Sequence, residues 1–151
     1  MGEVNDVAEK HWQEGMKTHE NMIYACFGCL SNTGITAGLG ALEAVKELGL
    51  DKVAVGCLAS LPLGVAPVIG KTKAAKKIIT VDGCPFECSR KIVEAAGFKP
   101  SRSFMLVRDV GMKKKALHED IGGSLKPVME YVSAEDVERT KGLVKSAILE
   151  E

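Results

Sequence analysis

Two cysteine pairs in the sequence are spaced so that each could bring two sulfur atoms to one centre. Cys26 and Cys29 form a CxxC pair, and Cys84 and Cys88 lie four residues apart around Pro85. If a helix starts at Pro85, the second pair shares one helical face, with Cβ atoms about 5–6 Å apart. That separation lets both thiols bind one metal through bonds of about 2.3 Å. The spacing therefore predicts a metal centre built from thiolates.

The donor type narrows the choice of metal. Thiolates select zinc, Cu(I) or an iron–sulfur cluster. Neither spacing reproduces the cysteine runs of ferredoxins, and zinc needs no redox partner or assembly context. Thiols placed at helix N-termini also ionise more readily, because the positive end of the helix dipole lowers the thiol pKa. Zinc is therefore the expected cofactor, and an iron–sulfur cluster is the alternative.

A fifth cysteine, Cys57, stands in a GCLA segment without a neighbouring thiol. A lone cysteine is often a small buried hydrophobe, so Cys57 is either a further candidate ligand or part of the core. A second class of function uses the same residues, with Cys29 or Cys57 as a low-pKa nucleophile in a redox or sulfur-transfer enzyme. No histidine is placed by the sequence as an obvious base, so whether the chain is an enzyme stays open.

Three further polar residues could act near these cysteines. His118 could reach the same edge as a ligand or proton carrier, although a single histidine in a polar loop is more often only exposed. Asp82 could orient a ligand or cap the helix that follows it. Asp109, at the end of the fourth predicted strand, could orient the metal ligands without binding the metal itself.

The elements that must position these residues alternate between β-rich runs and helical patterns. Strands are predicted over residues 21–27, 51–57, 76–83 and 103–111. Their continuous apolar runs suit parallel strands that are covered on both faces. Alternating strands and helices with right-handed crossovers predict a three-layer α/β domain, Rossmann- or flavodoxin-like, around a mostly parallel four-stranded sheet.

Helices are expected between and after these strands. The first ends at Gly49, the second begins near Pro67, and the third begins at Pro85, which fits a first helical position. Ser133 and Asp136 form a capping box for the last helix. The apolar stripe of the first helix consists of Ile35, Leu39, Leu42, Val45 and Leu48.

This order of elements places all the cysteines at one edge of the sheet. Each cysteine follows the carboxyl end of the first, second or third strand. In parallel α/β sheets, ligands bind in the crevice outside those ends. A strand order of 2-1-3-4 would put the first and third strands side by side and bring the two cysteine pairs together.

Length and composition indicate a single domain over residues 1–151. A chain of 151 residues that is 46% hydrophobic can bury one core. Residues 1–20 are expected to form an amphipathic helical extension anchored by Trp12, residues 21–111 the sheet core, and residues 112–151 a C-terminal loop and helix. The extension also suggests an alternative function as a partner-binding module.

Charge and hydropathy exclude several classes of partner. The chain has 20 basic and 20 acidic residues without a long block of one sign, so no nucleic-acid partner is expected. No apolar run approaches the roughly 20 residues that cross a bilayer, and the polar N-terminus does not resemble a secretory signal. We therefore expect a cytoplasmic protein without a membrane partner, in which clustered thiols stay reduced. The sequence leaves open whether the chain forms a homo-oligomer.

The three cysteine-bearing segments together resemble a known family. CFGCLSNTG, GCLASLPLG and ITVDGCPFECSRKIVEAAG, within residues 24–98, are similar in order and spacing to the DGC-motif family of zinc-binding proteins. The family is named for the Asp-Gly-Cys that stands here at residues 82–84. The resemblance implies a cysteine-bound zinc and no established reaction, and with four family ligands and five candidates it leaves the ligand set open. The matching residues are Cys26, Cys29, Cys84 and Cys88, with Cys57 matching another family cysteine.

Overall fold

The structure is a computed structural model, and it describes residues 6, 7, 10 and 17–151. The helical extension predicted over residues 1–20, with its Trp12 anchor, lies largely outside the described residues. Of the described residues in this range, 6, 7 and 10 are helical, whereas residues 17–20 lead into the first strand without helical structure, and there the prediction is wrong. Within the described ranges, none of the helices has the length and apolar character needed to cross a membrane.

Four strands form one all-parallel sheet in the order β2-β1-β3-β4. They are β1 (Asn21–Ala25), β2 (Val53–Val55), β3 (Ile78–Asp82) and β4 (Arg102–Met105). All five residues of β3 are buried, as expected for a strand covered on both faces. The predicted parallel sheet is confirmed, although each strand is shorter than predicted. The sequence left the strand order open, and the observed order is the one that puts the first and third strands side by side.

Helices cover both faces of this sheet, which confirms the three-layer α/β fold. The α-helices of the described part are α1 (Asn32–Leu48), α2 (Ala66–Ala74), α3 (Cys88–Ala95), α4 (Leu106–Asp109) and α5 (Ala134–Leu149). The side chains of alternate strand residues pack into two hydrophobic cores, one on each face of the sheet. Ile23 and Ile79 pack with α1 and α5 on one face, and Tyr24 and Ile78 pack with α2 and α3 on the other.

The buried face of α1 differs from the predicted stripe. Ile35 is buried, but Leu42 is 55% exposed. Small residues are needed instead, because α1 contacts both the sheet and α5, and a Cβ on Gly40 would lie 2.4 Å from a methyl carbon of Thr140. Gly49 ends the helix with φ of 88°, as predicted. The buried residues of α1 are Thr33, Ile35, Thr36, Ala37, Gly38, Gly40, Ala41 and Ala44.

The strand predicted over residues 103–111 is wrong in its second half. β4 ends at Met105 and α4 follows at once. The Asp109 carboxylate accepts a hydrogen bond of 2.8 Å from the Met105 N–H and so stabilises this single helical turn. Leu106 and Val110 are buried at the i, i+4 spacing of a helix. Asp109 is therefore a local capping residue.

The starts of two other helices agree with the sequence. Pro67 lies in the first turn of α2, where its missing N–H costs no hydrogen bond. The Ser133 hydroxyl accepts a hydrogen bond from the Asp136 N–H and caps α5. Both signals are local to the helix they start, which explains why they could be read from the sequence alone.

Candidate metal centre

The carboxyl ends of β1, β2 and β3 carry all five cysteines of the chain. Cys26 comes immediately after β1, which lies between β2 and β3. Its backbone N–H donates to the Val81 carbonyl at 3.0 Å, so this residue is still paired with β3. Cys26 is thereby held in the middle of the edge, beside the segment that leads to Cys84.

Three thiols from β1 and from the segment after β3 lie near one another. Cys88 and Cys84 both lie close enough to act on the Cys26 thiol, Cys88 the more strongly. Partial burial raises the pKa of the Cys26 thiol to about 11, and the neighbouring Cys88, Asp82 and Cys84 add to this effect. A bound cation would favour the thiolate instead, since metal binding displaces the thiol proton.

The helical relationship predicted between Cys84 and Cys88 is wrong. α3 begins only at Cys88, and a turn closed by the Glu87 N–H and the Cys84 carbonyl, 3.1 Å apart, precedes it. Pro85 occupies the second position of this turn, which suits proline as well as a first helical position does. Glu87 adopts the left-handed conformation, with φ of 49° and ψ of 48°, and this conformation separates the turn from the helix.

Asp82 is the residue that anchors α3 to the end of β3. Its buried carboxylate accepts hydrogen bonds from the N–H groups of Ser89 at 2.7 Å and Arg90 at 3.1 Å. N–H groups in the first helical turn have no partner within the helix, and a negative charge is favoured there. Both Asp82 oxygens are therefore used in capping, and the cap holds Cys88 in place.

Gly83 allows the segment after β3 to approach the start of α1. A Cβ on Gly83 would lie 2.6 Å from the carbonyl carbon of Thr33 and 2.8 Å from the nitrogen of Gly34. Real Cβ atoms do not approach backbone atoms so closely, so this position requires glycine. The three residues at 82–84 thus supply a helix cap, a close backbone approach and a thiol.

Cys29 is not among the groups that shift the pKa of Cys26, its CxxC partner. The Leu30 carbonyl accepts a hydrogen bond of 3.0 Å from the Leu117 N–H, and Ser31 pairs with Ala116 in an isolated bridge. This pairing draws the segment toward the loop after α4. Cys29 is exposed and lines a cavity of about 380 Å³ with His118 and mainly apolar side chains. His118 therefore lies beside Cys29, at a separate cavity.

Cys57 is exposed at the start of a 3₁₀ helix (Leu58–Ser60), so the interpretation of it as a core residue is wrong. Hydrogen bonding from the Ser60 hydroxyl, helped by the Ser60 N–H, lowers the pKa of the Cys57 thiol. Ser60 is not among the candidate residues that the sequence predicts. The available signal was its position three residues after Cys57, a spacing at which capping contacts form at helix starts.

The structure thus brings together part of the predicted ligand set. In residues 6, 7, 10 and 17–151, no group of three or more His, Cys, Asp or Glu side chains is arranged to hold a metal ion. The side chains of Cys88 and Cys84 both act on the Cys26 thiol. The donor chemistry fits zinc, but a bound metal would have to draw the third thiol closer.

Comparison with known families supports the resemblance noted in the sequence. A family model described as the DGC domain matches residues 22–140. The match covers more than half of the chain, includes every cysteine and extends beyond residues 24–98. No curated protein and no solved structure matches the chain. The extent of the family match shows that this chain belongs to the DGC domain family.

Proposed function

We propose that the protein binds zinc through cysteine thiolates at the carboxyl edge of its sheet. The observation that carries this proposal is that two cysteines from distant parts of the sequence converge, because α3, which begins at Cys88, packs against β1, which ends just before Cys26. The side chains of Cys88 and Cys84 both act on the Cys26 thiol, and we propose Cys84 as a further soft ligand. Zinc accepts such thiolates in a tetrahedral arrangement and supplies a positive charge that stabilises them.

The residues around the centre indicate what zinc would do for the fold. Cys26 holds the end of β1, and Cys88 is the first residue of α3. A metal shared by these thiols would link the strand to the helix and reinforce the anchor that Asp82 makes. A ligand that binds only the folded state stabilises it by about 2.7 kcal/mol at one hundred times its dissociation constant. Zinc should therefore raise the thermal transition.

Metal analysis of protein purified without a polyhistidine tag tests the proposal. We expect about one zinc per chain, protection of the ligand thiols from alkylation, and a lower thermal transition after chelation. Cys88→Ser should lose zinc, whereas Cys57→Ser is the matched control and should retain it. If reduced protein reconstituted with zinc binds none and keeps five free thiols, the protein is not a zinc protein.

We also propose a cytoplasmic location, because five cysteines follow the carboxyl ends of neighbouring strands. Clustered thiols persist in reducing compartments and tend to oxidise in secretory ones. Fractionation of the native cells, with the protein followed by antibody, checks this location, and recovery in an oxidising compartment would contradict it.

A second candidate function is thiol chemistry at Cys57. Its sulfur is exposed, and Ser60 lowers the pKa of the thiol. Both properties favour a nucleophilic thiolate. Alkylation mapping distinguishes the two functions, because a single fast thiol at Cys57 supports an enzyme, whereas equal rates at the exposed cysteines contradict it.

A further inference from the structure

We propose that the cavity beside Cys29 is a binding site for a small aliphatic carboxylate, a molecule with an apolar chain and one anionic end. The cavity has a volume of about 380 Å³ and lies between residues 29–30 and residues 117–131. This volume falls within the roughly 300–1,000 Å³ of sites that bind small molecules. The inference uses none of the thiols proposed to bind zinc, and it stands independently of that function.

The walls of this cavity are mainly aliphatic, and they come from two distant parts of the chain. Leu30 follows Cys29, whereas the other aliphatic side chains belong to the segment after α4. A hydrogen bond of 3.0 Å from the Leu117 N–H to the Leu30 carbonyl joins the two parts. The cavity is therefore a product of the tertiary fold. The aliphatic residues that line it are Leu30, Leu117, Ile121, Leu125 and Val128.

Three of these aliphatic side chains are exposed although they surround a concave space. The exposed fractions are 82% for Leu30, 71% for Ile121 and 64% for Leu125. Clustered apolar surface on a soluble protein often marks a binding site, whereas single exposed apolar residues do not. A molecule with an aliphatic chain would cover these groups, and each methylene that it buries should tighten binding about fourfold.

A lysine gives this apolar cavity a positively charged end. Among the described residues that line the cavity, Lys126 is the only lysine, and no arginine or carboxylate joins it. Its ammonium lies 5.9 Å from the centre of the Tyr131 ring, which is also part of the wall. The Lys126 N–H donates a hydrogen bond of 3.1 Å to the Tyr131 hydroxyl. This bond holds the backbone of Lys126 at the cavity.

The Asp120 carboxylate, which also contacts Tyr131, is occupied by other partners. One of its oxygens accepts a hydrogen bond of 2.7 Å from the Tyr131 hydroxyl, and the other forms an ion pair of 3.0 Å with Lys115. Tyr131 and Lys115 lower the pKa of Asp120 most, and Lys126 lowers it least. The Lys126 ammonium therefore remains able to attract an anionic group. A carboxylate on an aliphatic chain complements both this charge and the apolar walls.

Calorimetric titration of the full chain with straight-chain carboxylates tests the site. We expect octanoate to bind about 15-fold more tightly than hexanoate, because it buries two more methylenes. Lys126→Ala should weaken octanoate binding about tenfold and leave binding of 1-octanol, which has no charge, unchanged. Lys113→Ala is the matched control, because its exposed side chain does not line the cavity, and it should bind octanoate as the wild type does. Equal octanoate affinity in Lys126→Ala and the wild type would refute the anionic end.

The Cys29 thiol reports whether octanoate occupies this cavity. Alkylation of Cys29 by iodoacetamide should slow when octanoate is present, whereas the rate at the exposed Cys57, which does not line the cavity, should not change. An unchanged Cys29 rate at saturating octanoate, or no binding of octanoate by the wild type, would overturn the inference. We expect the same result with zinc-free and zinc-treated protein, so failure of the proposed zinc binding would leave this test intact.

Discussion

Replacing Gly83 with alanine should destabilise the fold, because the new methyl group has no room. Its Cβ would lie 2.6–2.8 Å from three backbone atoms of Thr33 and Gly34, where carbon atoms normally stay about 3.5–4.0 Å apart. Backbone cannot move aside as a flexible side chain can, so either α1 or the segment after β3 must shift. The same shift would displace Cys84, the next residue in the chain.

The expected magnitude combines two opposing effects. Overpacking of this kind costs about 1–3 kcal/mol, while alanine lowers the entropy of the unfolded chain and returns about 0.4–1 kcal/mol. The midpoints of these ranges leave Gly83→Ala with a net loss of about 1.3 kcal/mol of unfolding free energy. For a domain of this size that loss lowers the thermal transition by about 3–5 °C.

Gly28→Ala is the matched control, because a Cβ at that position would meet no atom within 4 Å. Urea unfolding of both variants and of the wild type measures the differences in unfolding free energy. If the slope of the free energy against urea concentration is unchanged, the differences reflect stability alone. We expect Gly28→Ala to stay within about 0.5 kcal/mol of the wild type. If the two variants are equally stable, the close approach at Gly83 does not constrain the fold.

Three further predictions concern the Asp82 cap of α3, the exposed Cys57 thiol and the loss of stability at acidic pH. Asp82→Ala should lower the free energy of unfolding in urea by about 2–3 kcal/mol, because it removes charge-assisted hydrogen bonds to α3. Asp109 is more exposed, so Asp109→Ala should lower it by less than about 1 kcal/mol. Equal losses would argue against the buried cap. Cys57 should react with iodoacetamide fastest among the thiols, and Ser60→Ala should slow it by raising the thiol pKa; an unchanged rate would remove Ser60 from the explanation. Lys141 and Lys145 of α5 lower the pKa of Glu47 from 4.5 to about 2. The stability that this carboxylate contributes is therefore complete above pH 4.5 and is lost as the pH falls toward 2. The free-energy difference between wild type and Glu47→Gln should shrink over that interval, and a pH-independent difference would refute the coupling.

The sheet could be predicted because its signals are local and strong. Continuous apolar runs with β-branched residues mark the strands, and the glycines and prolines between them mark the connections. The errors have definite causes. Pro85 suits the second position of a turn as well as the start of a helix, and Leu106 and Val110 lie in an apolar run that reads as strand but has helical spacing.

The candidate centre could be predicted only in part. That the cysteines collect at one edge follows from the order of strands and helices alone. That the segment after Cys29 is bonded to the loop after α4 does not, because this depends on hydrogen bonds between Asn32 and residues more than 80 positions further along the chain. The left-handed Glu87, which sets where α3 begins, likewise has no signal in its residue type.

The position of β1 between β2 and β3 has a consequence for when the centre can form. The chain from Cys26 to Cys84 contains α1, β2 and α2, and the two thiols meet only after this whole crossover has closed. Loop closure of this length costs conformational entropy, and parallel pairing is slow for that reason. In a zinc finger the ligands are close in sequence and the metal can organise the chain from the start. Here we expect the nascent chain to pair its strands first, so that under the proposed function a largely folded protein would capture zinc late in synthesis.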